Sequence, residues 1–171
     1  TDVLSKANSR GATAAEVYYN DDLGFSVGTR LGEVENLEHH QDSGLTLNVY
    51  IGHQTASVST SDLSPGAVDE AITKAVTIAK HTGADECNGV ADKADLATEI
   101  PELALYHPWD ISPEKCIALA VEAENAGMAF DKRITNSEGV SIDTMTRYRY
   151  FANSLGFGAG YSTSYHSMNC I

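Results

Sequence analysis

Leu45-Thr46-Leu47-Asn48-Val49-Tyr50-Ile51 alternates apolar and polar side chains through seven residues. Successive side chains of a strand point to opposite faces, so this period of two predicts a β-strand with one buried and one wetted face. Gly52-His53-Gln54 turns the chain into a further extended run over 55–60, and Asp42-Ser43-Gly44 precedes the strand as a turn signal. Working back, Glu33 to His40 reads as a strand that follows a tight turn at Leu31-Gly32. Residues 23–30 alternate with Leu23, Phe25 and Val27 on one face, and Val17, Tyr18 and Tyr19 mark a short strand over 16–20. Short strands with such brief connections predict an antiparallel meander. The end of a helix, over 3–10 and closed by Gly11 in a left-handed cap, precedes it.

Beyond the meander the periodicity changes to that of helices. Asp62-Leu63-Ser64-Pro65 and Asp110-Ile111-Ser112-Pro113 each place serine at an N-cap and proline at the first helical position. There a missing N–H costs nothing and the fixed φ suits the helix. Val68, Ile72, Ala75, Val76 and Ala79 form the apolar stripe of the first helix; Cys116, Leu119, Ala120 and Ala123 form that of the second. The polar connection between them is long for a structureless loop, so helical turns are expected near 91–97. After the second helix, residues 134–138 lead to a turn at Gly139, and 140–146 and 147–153 read as strands. Gly156, Gly158 and Gly160 then leave one face of any strand without side chains, open to a ring or a backbone. The expected fold class is α+β: an antiparallel β-meander packed with helices, the second helix followed by further antiparallel strands. The expected division is 1–105 (helix, meander, helix) and 106–171 (second helix and C-terminal strands).

The 171 residues are 42% hydrophobic and 20% charged, an ordinary globular composition. A formal net charge of −13 disfavours direct contact with nucleic acid. No apolar run is long enough to cross a bilayer, so no membrane partner is expected. Cys87, Cys116 and Cys170 are widely spaced with no C-x-x-C pair, which points to the reducing cytoplasm. The last 21 residues carry no Asp, Glu, Lys or Arg. Such a tail predicts strands lying against a neighbour, and so a chain that continues in its natural form.

The residues offer little catalytic chemistry. His39 and His40 are adjacent, so on a strand they point to opposite faces and cannot chelate together. His53 falls in a turn, and His107 stands between Tyr106 and Pro108. Glu33 and Glu35 lie two apart on a strand face, as a glycosidase or carboxylate metal site might use, but a solvated face explains them more cheaply. Gly156-Phe157-Gly158-Ala159-Gly160 lacks the spacing of a phosphate loop, and H-E-x-x-H does not occur. No catalytic, cofactor-binding or metal residue is assigned.

The segments Ala15-Glu16-Val17, Phe25-Ser26-Val27-Gly28-Thr29-Arg30-Leu31-Gly32-Glu33-Val34-Glu35-Asn36, Ser59-Thr60-Ser61-Asp62-Leu63-Ser64-Pro65 and Tyr106-His107-Pro108-Trp109 occur in that order. Arg133-Ile134-Thr135-Asn136-Ser137-Glu138-Gly139, Asn153-Ser154-Leu155-Gly156-Phe157 and His166-Ser167-Met168 follow. Together they resemble the N-terminal region of the TldD/PmbA family, in its PmbA/TldE branch. The resemblance implies a subunit of a cytosolic heterodimeric metalloprotease acting on unfolded or extended peptides. It implies that a TldD-type subunit supplies the zinc from an H-E-x-x-x-H helix absent here, so no cofactor is expected in this chain. Its expected partners are that subunit and unfolded peptide substrates, with a homodimer when isolated. A structural, substrate-gating role for this region follows; the alternative is an independent protein-binding module that modulates DNA gyrase.

Overall fold

The computed structural model describes residues 2–171; Thr1, the first residue of the expected 1–105 unit, lies outside them. The order is α1 (Asp2–Ser9), β1 (Ala14–Arg30), β2 (Glu33–Ile51), β3 (Gln54–Thr60), α2 (Pro65–Ala79), a single 3-10 turn (Lys93–Asp95), α3 (Pro113–Phe130), β4 (Val140–Asn153) and β5 (Gly158–Cys170). The strands form one antiparallel sheet in the order β3-β2-β1-β4-β5, so the fold is α+β as expected. In the β2–β3 hairpin Leu47 faces Val58, Val49 faces Ala56 and Ile51 faces Gln54.

Three expected breaks do not exist. Residues 16–20 and 23–30 belong to one strand, as do 33–40 and 45–51, and likewise 140–146 and 147–153. Asp21-Asp22 does not interrupt β1 because the Asp22 carboxylate meets the Arg147 guanidinium of β4 at 3.6 Å. Asp42-Ser43-Gly44 stays extended because Gly44 serves close approach rather than a turn. A Cβ there would lie 3.2 Å from the Asn20 carboxamide oxygen.

The other local signals hold. Ser64 Oγ accepts the Ala67 N–H and Ser112 Oγ accepts the Lys115 N–H, each at 3.4 Å, with proline opening both helices. Gly11 and Gly139 have φ of +107° and +112°. Helical turns between α2 and α3 reduce to the one at Lys93–Asp95.

Two compact units share these strands. The first comprises residues 2–21, 42–103 and 148–161. Its core joins Leu4 and Ala7 of α1, Ile72, Ala75, Val76 and Ala79 of α2, and the inward residues of the strands, among them Val17, Leu47 and Val49. Arg10 fastens α1 to α2, donating to the Asp69 carbonyl at 2.8 Å and to the Asp69 carboxylate at 2.5 Å. The second unit comprises Asp22–Gln41, Ala104–Arg147 and Ser162–Ile171. In its core Cys116 and Ala120 of α3 pack on Val27, Val140 and Ile142.

Candidate functional site

The sequence candidates do not converge. In the second unit, His40 Nε2 lies 3.1 Å from Ser26 Oγ, while the His39 ring packs on Phe25 with centroids 5.9 Å apart. The two imidazoles thus take separate neighbours, as adjacent strand residues must. Glu33 and Glu35 are exposed on β2. In the first unit, His53 Nδ1 lies 3.2 Å from the Asn88 carbonyl oxygen and serves to tie the long connection to the β2–β3 turn. In the second unit, His107 Nε2 donates to the Ala104 carbonyl at 2.7 Å. Among the described residues no three His, Cys, Asp or Glu side chains gather as a metal would require. These residues therefore do not fit a zinc site.

The most developed surface of the first unit is aromatic. Phe151 of β4 packs on Tyr18 of β1 at 4.8 Å and on Phe157 at 5.9 Å. Beside them a depression of about 490 Å³ is lined by Tyr18, Asn20, Arg149, Phe151, Ala159 and Tyr161. Alternation explains the arrangement: Val17 and Ala152 enter the core, so Tyr18 and Phe151 emerge on the opposite face. Nearby, Tyr50 donates to the Glu16 carboxylate at 3.1 Å. Burial, then the Glu16 charge, push its phenol up to about 12. The lining joins aromatic rings with one guanidinium and carries no paired nucleophile and base.

The alternate glycines behave as their spacing predicts. A Cβ on Gly158 would fall 2.6 Å from the Tyr150 hydroxyl, and one on Gly160 2.5 Å from the Tyr148 hydroxyl. The phenols of β4 therefore lie across β5 where side chains are missing. Gly156 serves instead in the β4–β5 turn, at φ +97°.

One buried charge was not foreseen. Glu124 of α3 is 2% exposed, and its two carboxylate oxygens accept the Leu31 and Gly32 N–H groups, each at 2.9 Å. The Ser137 hydroxyl, the two N–H groups and the Arg30 charge hold its carboxyl below the usual range. It stabilises a two-residue turn in which Leu31 and Gly32 both have positive φ, 50° and 81°. Its position in line with Cys116 and Ala120 on the buried stripe was the available signal.

Residues 15–79 match the family model described as PmbA/TldA metallopeptidase domain 1, and residues 106–171 match the one described as PmbA/TldA metallopeptidase central domain. The chain belongs to the PmbA/TldD family. Over 169 residues it is 44% identical to metalloprotease PmbA of Escherichia coli O157:H7, a match covering 98% of this chain and 37% of that protein. A PmbA homolog of Haemophilus influenzae is 41% identical over 162 residues, covering 95% of this chain and 36% of that protein. The chain thus spans a little over a third of the length of these relatives. Two crystal structures share the PmbA/TldD fold. TldE from Thermococcus kodakarensis superposes with a TM-score of 0.82 at 16% identity, covering 99% of this chain and 38% of that one. A Bacteroides thetaiotaomicron protein, described in terms of modulation of DNA gyrase, gives 0.88 at 22% identity, covering 97% and 38%. At these identities the two structures speak to fold alone.

Proposed function

We propose that this chain is the N-terminal region of a PmbA/TldE-type subunit in a heterodimeric metalloprotease whose TldD-type partner holds the zinc. In this reading the region is structural and admits unfolded or extended peptides to the protease in the cytoplasm. The observation that carries it is the 44% identity to metalloprotease PmbA along 98% of the chain. Two features support it. The described residues offer no cluster of metal ligands, which is compatible with hydrolysis in another part of the assembly. The aromatic face of the first unit suits passing side chains, since extended chains are recognised without strict sequence. No described helix is long and apolar enough to cross a membrane.

The test is peptide cleavage by the intact protein mixed with a TldD-type subunit, with and without this region, on unfolded peptides and on the same segments within a folded protein. Removing the region should admit the folded substrate or abolish cleavage of the peptides. Unchanged cleavage and unchanged discrimination would contradict the role.

A further inference from the structure

In the second unit, β5 is the edge of the sheet, bonded to β4 on one side only. Just past its end the Ile171 N–H turns inward to the Gly139 carbonyl, whereas the Ser164 N–H within β5 turns outward to the Leu105 carbonyl. Backbone groups of an antiparallel strand alternate in direction, so Ser162, Ser164, His166 and Met168 present theirs along the free edge. Residues 104–109 lie against it without forming a strand. Ser164 N–H donates to the Leu105 carbonyl at 3.0 Å, and the His107 N–H donates to Ser164 Oγ at 2.8 Å. His166 Nε2 donates to the His107 carbonyl at 2.9 Å while its Nδ1 meets the Thr144 hydroxyl at 2.9 Å. The Trp109 ring closes edge-on against His166.

This attachment rests largely on polar contacts to Ser164 and His166. Leu105, Tyr106 and Trp109 remain 45%, 52% and 40% exposed, so about half of their surface is left uncovered. Ala104 sits at φ +48°, a conformation that side chains disfavour. A segment held this way leaves the edge more readily than a ladder strand does. The unit also has eleven acids against five bases, so a lysine-bearing segment is favoured there over an acidic one.

We propose that residues 104–109 form a displaceable strap over the β5 edge, and that a basic extended peptide pairs with that edge once the strap has moved. The inference rests on the peptide-admission reading above and adds its site and its charge preference. The test uses the intact protein with two variants, His166→Ala to loosen the strap and Ala104→Gly to relax its strained backbone. Amide exchange at Ser164 should quicken about tenfold in the first and slow in the second, with Ile142 in β4 unchanged. A fluorescein-labelled peptide of alternating Thr and Val with lysine ends should bind more tightly to the first and more weakly to the second. The same peptide with aspartate ends should bind neither well. Exchange at Ser164 indifferent to both variants, or lysine-peptide binding indifferent to both, overturns the strap. If binding follows the strap while the assembled protease selects substrates without regard to it, the gating reading falls and the strap stands. If selection persists while binding ignores the strap, the reverse holds.

Discussion

The Glu124 carboxylate of α3 receives the Gly32 N–H at 2.9 Å across 92 residues of sequence. With the Leu31 N–H beside it, that bond fixes the β1–β2 turn from a helix rather than from within the hairpin. Replacing Glu124 by Ala leaves both N–H groups without their acceptor, and Glu124→Gln keeps the shape but can accept through one oxygen only. Both should lower Tm, Ala more than Gln, as thermal unfolding by circular dichroism will measure.

The same carboxylate gives a pH dependence of defined sign. Its folded pKa is held below its ordinary 4.5, so its contribution is fully present above about 4.5 and is lost as pH falls through the folded value. Denaturant titrations between neutral pH and pH 3 should show wild type and Glu124→Gln converging as the solution becomes acidic. A gap that stays constant to pH 3 would refute this assignment.

Gly24 and Gly66 should respond to alanine in opposite directions. A Cβ on Gly24 would meet the Thr144 carbonyl oxygen and the Met145 Cα at impossible distances, so β1 and β4 would have to part. Gly24→Ala should cost about 3 kcal/mol or more. Gly66, in the first turn of α2 with open space around it, should gain about 0.5–1 kcal/mol from the same change. Chemical denaturation of the two variants provides the comparison.

Tyr50 should titrate at about 12, against an ordinary 10.0, and Glu16→Gln should bring it down by removing the Glu16 charge. Because the folded state keeps this proton longer than the unfolded chain does, stability should fall as pH rises from about 10 to about 12. Ultraviolet difference titration of wild type and Tyr50→Phe isolates the phenol concerned.

The three thiols should separate by reactivity. Cys87 and Cys170 are exposed and Cys116 is buried, with burial and then the Asp143 charge pushing its thiol up. A disulfide reagent should consume two thiols quickly in the native protein and the third only on unfolding. Three equally fast thiols would contradict the packing of α3.

Much of the fold was legible because its signals are local. The alternation of residues 45–51 and the two Ser-Pro starts depend on neighbours within a few positions, and both appear where the sequence puts them. Strand length was not legible. Whether Asp21-Asp22 and Asp42-Ser43-Gly44 break a strand is decided by Arg147 and Asn20, partners supplied from other strands. Glu124 was missed for the same reason, since its partners stand 92 and 93 residues away. The isolation of His39 from His40 was readable because it follows from strand geometry. The aromatic depression was not, because Tyr18 meets Phe151 only through the pairing of β1 with β4.

If two subunits divide the labour as proposed, metal content measured together with activity will show it. The intact protein and a TldD-type subunit should be purified separately, assayed for bound zinc by mass spectrometry, and tested on an unfolded peptide alone and mixed. The expected result is zinc in the TldD-type subunit, none held stoichiometrically by this protein, and cleavage by the mixture. Stoichiometric zinc in this protein together with cleavage by it alone would contradict the claim.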